Sequence, residues 1–320
     1  MSIELTKIVS FLPSATEILY EIGAANMVVG VTHECNYPEA AKSKPRVINS
    51  SFDSSTMSSK EIDNKIVELF SNGKDIYVVN DKILKELKPD LIVAQGICEV
   101  CSPFSKEIKR AISILGYNPK VIVLDPHNIL DILDNINEIA INIGKTKEGK
   151  NLVRLLEEKI YRIKKISESK TNKVDLPKIL CLEWIDPFFT AGHWVPEMVE
   201  IAGGINGLSK SKEKSQRTSL EEIKKFNPDK IILMPCGFTI DRTINEYKKA
   251  TTLNQNEEWN NLKAIKNNEL YVVNAGSYFS KPGPRTITGI EILAKIISPN
   301  EFKDFKAPEN SYTKLIESFK

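Results

Sequence analysis

Two stretches of this chain are written to one plan. Leu84-Lys85-Glu86-Leu87-Lys88-Pro89-Asp90-Leu91-Ile92-Val93 and Leu220-Glu221-Glu222-Ile223-Lys224-Lys225-Phe226-Asn227-Pro228-Asp229-Lys230-Ile231-Ile232-Leu233 each carry a helix that halts before Pro-Asp, then a short apolar run. Proline cannot continue a helix, and it pushes the residue before it into extended conformation. A run apolar at every position belongs to a strand covered on both faces, the mark of a parallel sheet with helices against it. The chain must therefore alternate strands with helices.

Other segments join this pattern. Ile8 to Leu12, Val28 to Val31 and Val121 to Leu124 read as strands of the first half, and Ile179 to Leu182 and Leu270 to Val273 as strands of the second. Lys178-Ile179-Leu180-Cys181-Leu182 echoes Lys7-Ile8-Val9-Ser10-Phe11, and each is followed by a Pro-containing turn and a helix that stops at glycine, Gly23 or Gly203-Gly204. Ser14 with Glu17 reads as a capping box for the first of those helices. Between the halves, Leu152, Leu155, Leu156, Ile160, Ile163 and Ile166 recur at helical spacing among many charges. At 1.5 Å per residue that helix spans roughly 35 Å, the width of a small domain. The expected fold is α/β, with two Rossmann-like α/β lobes: 1–144, then a connecting backbone helix over 145–171, then 172–320. Their strand-end loops are expected to face each other across a ligand cleft.

A length of 320 residues suits two domains, and 44 basic against 42 acidic residues leave a net charge of only +2. Such a balance provides no basic field for nucleic acid or an anionic membrane. Nor does any run of eighteen apolar residues suggest membrane insertion. The N-terminus, Met1-Ser2-Ile3-Glu4-Leu5, runs straight into a strand without a basic n-region or a long apolar h-region, so a cytoplasmic chain is expected. Five cysteines, Cys35, Cys98, Cys101, Cys181 and Cys236, are an odd number and look unlike a disulfide framework.

The densest gathering of site-like residues lies between Leu180 and Gly204. It holds two of the three tryptophans, Trp184 and Trp194, with Glu183, His193, Pro187 and Gly192. Ring faces mixed with polar tips suit a pocket for a large, flat, partly polar molecule, although two tryptophans packing a strand against a helix would read the same. Glu183, Glu197, Glu34 and Asp186 could suggest acid/base pairs, yet no nucleophile elbow, metalloprotease helix or phosphate loop accompanies them. Gly203-Gly204 follows a helix and so caps it. A binding protein, and no enzyme, is expected.

Cys98-x-x-Cys101 has metal-ligand spacing, and His33 with Cys35 stands on another strand-end loop of the same half. Together they could close a structural zinc site. The CxxC could equally be a thiol-redox pair ahead of a helix, or neither. Cys181, inside a strand, reads as core.

Ile8-Val9-Ser10-Phe11-Leu12-Pro13-Ser14-Ala15-Thr16-Glu17, Val29-Gly30-Val31-Thr32 with Tyr37-Pro38 and Pro45-Arg46-Val47, and Leu87-Lys88-Pro89-Asp90-Leu91-Ile92 resemble the cobalamin-binding substrate-binding proteins. These belong to the class with a helical backbone between lobes, which also carries haem and iron siderophores. His33-Glu34-Cys35, Cys98-x-x-Cys101 and Glu183-Trp184 with Gly192-His193-Trp194-Val195-Pro196-Glu197 are similar to a branch without a leader. The resemblance implies a corrinoid, cobalamin (vitamin B12), held between the lobes. Haem or a siderophore in the same fold is the alternative, as is a zinc or redox role. The implied partner is an ABC-type permease or a corrinoid-dependent enzyme, with intracellular handling favoured.

A corrin is a broad disc with an apolar rim, amide arms and a central cobalt. Trp184, Trp194, Tyr37, Phe188, Phe189, Tyr278 and Phe279 could supply aromatic walls. Glu34, Glu183 and the backbone at Gly237 could serve the amide edge. His33 and His193 could each reach the cobalt, or simply bond a loop carbonyl.

Overall fold

The computed structural model describes residues 6–96, 105–169, 176–250, 253 and 256–315. The chain divides into two compact units, the first made of residues 1–57, 61–126 and 130–155, the second of 58–60, 127–129 and 156–320. The long helix expected over 145–171 is found at Thr146–Glu168, and the division between the units falls inside it. Its lack of proline and its stripe of Val153, Leu156 and Ile163, all buried, give it one apolar face.

The first unit is built on strands β1 (Ile8–Ser10), β2 (Val28–Thr32), β3 (Arg46–Ser50), β4 (Tyr77–Val79), β5 (Leu91–Gln95) and β6 (Lys120–Leu124). Helix α1 (Pro13–Glu21) follows β1, α2 (Ser59–Ser71) follows β3, α3 (Asp81–Leu87) precedes β5, and α4 (Ser105–Leu115) precedes β6. The sheet runs β4-β3-β2-β1-β5-β6, parallel except for the antiparallel edge β4. Strand order turns back between β1 and β5, a switch point of the kind at which α/β folds collect ligands. Helix α3 lies tightly on this sheet: a Cβ added to Gly30 would meet Leu87 Cδ1 at 2.7 Å and Val47 Cγ1 at 2.9 Å.

Pro13, at the first helical position, opens α1, and no side chain caps it. The capping box expected at Ser14 is therefore not formed, because Ser14 is already inside the helix. Such a box is found instead in the second unit at Ser219: its Oγ accepts Glu222 N at 3.2 Å while Glu222 Oε2 accepts Ser219 N at 2.9 Å.

Helix α5 (Ile129–Asn142) has Ile129 in the second unit and its remaining residues in the first, and α6 is the long helix named above. Then come β7 (Lys178–Trp184), β8 (Phe189–Thr190), α7 (Val195–Ile201), β9 (Ile205–Asn206), β10 (Gln216–Arg217), α8 (Leu220–Phe226), β11 (Lys230–Leu233) and α9 (Ile240–Lys249). Strand β12 (Leu270–Val273), helix α10 (Arg285–Ile297) and β13 (Tyr312–Lys314) follow. The sheet order is β10-β8-β7-β11-β12-β13, with β9 beside β7; β7, β11 and β12 run parallel. Trp259, fully buried, anchors one core with Leu182, Ile231, Leu233 and Val272. Residues 127–129 join this unit, where Ile129 N donates to Glu197 Oε2 at 2.9 Å.

The repeated Pro-Asp has one physical purpose. Lys88 and Asn227, which end α3 and α8 directly before the prolines, are left-handed and not extended as expected, with φ of 47° and 51°. The proline then turns the chain, and the aspartate ties it to the neighbouring strand. Asp90 Oδ2 accepts Lys7 N at 2.7 Å, and Asp229 Oδ2 accepts Lys178 N at 2.7 Å. Each carboxylate thereby satisfies the first N–H of the adjacent strand, a group that would otherwise lack a ladder partner.

Candidate ligand site

Because β7, β11 and β12 are parallel, their carboxyl ends lie along one margin of the sheet, where α/β folds collect ligands. Three loops leave that margin. The loop after β11 is drawn against β7 by Met234 N donating to Leu182 O at 2.8 Å and Cys236 N to Glu183 O at 3.2 Å. It is joined to the loop after β12 by Gly276 N donating to Phe238 O at 3.1 Å and Gly237 N donating to Ser280 Oγ at 3.0 Å. Gly237 has φ of 76°, and a Cβ on Gly276 would meet its carbonyl oxygen at 2.8 Å. Gly237 suits glycine through its positive φ, and Gly276 because the Gly237 carbonyl leaves no room for a Cβ.

Aromatic side chains crowd this margin, and they divide into two groups. Trp184, at the end of β7, is half-buried and tilts against Phe238 with centroids 5.7 Å apart. Tyr278 is also half-buried, its ring 5.8 Å from the Arg285 guanidinium. Phe188 stacks on Trp259 at 5.7 Å and 14°, and Phe189 carries the Arg217 guanidinium at 5.3 Å. Trp194 and Phe279, by contrast, are only 5% and 3% exposed. The indole Nε1 of Trp194 donates to Phe279 O at 2.9 Å. The expectation that these two rings wall a ligand is corrected: they fasten one loop to another inside the unit. The reason is the close approach of α7 and α10, where a Cβ on Gly289 would meet Met198 Cε at 2.7 Å.

Glu183 and His193 are held by a strap, residues 209–217, which sequence reasoning passed over. Ser215 Oγ donates to Glu183 Oε1 at 2.5 Å. His193 N donates to Glu213 O at 2.6 Å, and Lys212 N donates to His193 O at 3.0 Å. His193 adopts φ of 55°, unusual for a residue other than glycine, and its ring lies 5.6 Å from Trp194 and 6.2 Å from His127. Gly192 packs directly on the strap backbone at 213–215. In the sequence the strap reads only as Lys-Ser-Lys-Glu-Lys-Ser, a polar loop without a periodic signal.

In the first unit, the loop after β2 carries His33, Glu34 and Tyr37. His33 N donates to Ile48 O at 2.9 Å, and its Nδ1 lies 3.3 Å from the same oxygen, a geometry in which Nδ1–H donates. Its Nε2 is 4.0 Å from Glu34 Oε1. Arg46, which the sequence offered only within the resemblance at Pro45-Arg46-Val47, braces the loop through Nη1 to Thr32 O at 2.7 Å and to Cys35 O at 3.1 Å. Tyr37 stands 40% exposed.

The placement of Cys35 speaks against its part in the expected zinc site. Cys35 is fully buried, and its Sγ lies 3.1 Å from Thr16 Oγ1 and 3.3 Å from Thr32 Oγ1, so the thiol is turned into the core. Among the described residues no group of three or more His, Cys, Asp or Glu is placed to hold a metal. Cys98 and Cys101 lie outside the described residues. Cys181 is buried in β7, and burial pushes its thiol up to about 12, because the thiolate would sit unsolvated among apolar neighbours.

Comparisons with known proteins agree with this architecture. The family model described as "Periplasmic binding protein" matches residues 8–275. The "Uncharacterized ABC transporter substrate-binding lipoprotein YvrC" of Bacillus subtilis (strain 168) is 28% identical, over 93% of this chain and 82% of the relative. The "Vitamin B12-binding protein" of Vibrio vulnificus (strain YJ016) is 23% identical, over 93% and 92%. Among solved structures, a "Periplasmic Heme Binding Protein from Pseudomonas aeruginosa" superposes with a TM-score of 0.69 at 16% identity, over 92% of this chain and 93% of that one. One relative is named a lipoprotein and a solved structure of the same fold is named periplasmic, which overturns the expectation of a cytoplasmic chain. No helix among the described residues is long and apolar enough to cross a membrane. A two-lobed α/β scaffold with ligand-type loops at its strand ends, matched over most of its length, makes this chain a substrate-binding protein, not an enzyme, and a member of the periplasmic binding protein family.

Proposed function

We propose that the chain captures a corrinoid, cobalamin in the first place, and delivers it to an ABC-type permease. The observation that carries this reading is Trp184: a half-buried indole at the carboxyl end of a parallel strand, backed by the buried ring of Phe238. An indole so backed can cover the apolar face of a broad disc without losing much side-chain freedom on binding. Glu183 beside it and Tyr278 across the margin offer polar edges for amide arms. On the first unit, His33, Glu34 and Tyr37 form the corresponding candidate group, and His193 is a candidate imidazole for cobalt. Support also comes from the vitamin B12-binding relative, which aligns over nearly the whole chain.

A second reading, haem as the guest, is favoured by the haem-binding structural neighbour. Titration of the purified chain with hydroxocobalamin and, separately, haemin, read by absorbance and tryptophan fluorescence, decides between them. Cobalamin binding in the wild type that falls at least tenfold in Trp184→Ala is expected. Saturable haemin binding with no response to cobalamin would replace the first reading by the second.

A further inference from the structure

Arg242 stands in the first turn of α9 with its guanidinium carbon 3.8 Å from the centroid of the Phe238 ring. Trp184 tilts against the same ring at 58°. Phe238 is buried, so its ring is a fixed wedge that sets the positions of a cation and an indole together. The wedge is itself tied down: Phe238 N donates to Pro235 O at 2.9 Å, and Gly276 N donates to Phe238 O. Thr239 Oγ1 accepts Arg242 N at 3.4 Å, which fixes the helix start.

A guanidinium held over a ring face still carries five N–H donors in one plane. That planar fork matches the paired oxygens of a phosphate or carboxylate. Its place in the fold points the same way. A cation in the first turn of a helix opposes the helix dipole, and Asp241 beside it is exposed. An anion arriving at Arg242 would meet both the guanidinium and the positive end of α9.

We infer that Arg242 determines specificity at this margin: it takes an anionic oxygen group carried on the periphery of the same ring ligand whose face Trp184 covers. This rests on the ring-ligand reading given above. Two sources carry such a group, the phosphodiester in the nucleotide loop of a complete corrinoid and the propionate carboxylates of haem. Cobinamide, a corrinoid without the nucleotide loop, lacks it.

The test is a set of fluorescence and absorbance titrations of the full chain, wild type and Arg242→Gln, with hydroxocobalamin, cobinamide and haemin. Loss of one charge-assisted pair weakens cobalamin, or haemin if that is the guest, about tenfold or more, and leaves cobinamide within about twofold. Equal losses for all three overturn the inference, since Arg242 would then only prop Phe238, and so do unchanged affinities. Should Arg242→Gln not fold, the wild type decides: its preference for cobalamin over cobinamide shrinks from low to high salt if an ion pair carries it, and a preference indifferent to salt overturns the inference. A wild type that binds none of the three removes the ring-ligand reading itself. That result is distinct from a wild type that binds while Arg242→Gln matches it.

Discussion

The carboxylate of Asp229 accepts the backbone N–H of Lys178 at 2.7 Å, and Asp229 N in turn donates to Lys178 O at 2.8 Å. One residue thus stitches β11 to β7 at the end of the sheet opposite the ligand loops, as Asp90 stitches β5 to β1 in the first unit. Burial alone would raise the Asp229 carboxyl, but hydrogen bonds from Lys263 and from Lys178 N outweigh it and hold the group below the usual carboxylate range. A carboxylate depressed on folding contributes stability above its unfolded pKa, about 3.9, and loses it as pH falls through the folded value.

Asp229→Asn keeps an acceptor for Lys178 N but removes the charge. Near neutral pH the variant is expected to be less stable by about 1 kcal/mol or more, and the gap should close as pH drops below about 4. Urea unfolding followed at several pH values measures it. A gap that widens in acid would contradict the assigned direction.

Trp194→Phe preserves most of the ring but leaves Phe279 O without its indole donor. The expected loss is about 1–3 kcal/mol of unfolding free energy. Ligand affinity, measured beside it, should change less than in Trp184→Ala, because the Trp194 ring is buried. If Trp194→Phe abolishes binding while stability is unchanged, this division of labour between the tryptophans is wrong.

Cys181 and Cys236 sit on neighbouring parallel strands or their ends, yet their reactivity should differ. Burial holds the Cys181 thiol up at about 12, whereas Cys236 is half-buried at a strand end. Brief alkylation of the native protein at mildly alkaline pH, followed by peptide mass mapping, should modify Cys236 and spare Cys181 and Cys35. Labelling of Cys181 at the rate of the unfolded chain would refute its placement.

Gly192→Ala drives a methyl into the backbone of 213–215. The strap has to move, which disturbs the Ser215–Glu183 bond and the two backbone bonds that hold His193 in left-handed conformation. We expect faster tryptic cleavage among Lys210, Lys212 and Lys214, and a weaker ligand response, with a stability loss of about 1–3 kcal/mol. Unaltered cleavage would mean that the strap is not fastened through Gly192.

What the residues alone determined is what short-range physics dictates. Proline before aspartate, and apolar runs of strand length, specify where helices stop and covered strands begin, so two parallel α/β units with a long helix between the halves were legible before any coordinates. The repeated Pro-Asp was visible too, though its role as a stitch to the neighbouring strand was not. The glycines at Gly192 and Gly237 and the aromatic density after β7 were legible as features of strand-end loops.

Tertiary structure decided which side chains of those loops face outward. Trp184 and Trp194 are ten residues apart and chemically identical, but one ends a strand at the sheet margin and the other packs where α7 meets α10, a contact with the distant Phe279 that no local pattern encodes. The same holds for Cys35, whose thiol turns toward Thr16 and Thr32, and for Ser215, whose hydroxyl is placed by the distant Glu183. Strand period and helix stops are local consequences of backbone sterics and burial, whereas the direction of a loop side chain depends on which remote backbone comes close, and that is settled only when the whole unit packs.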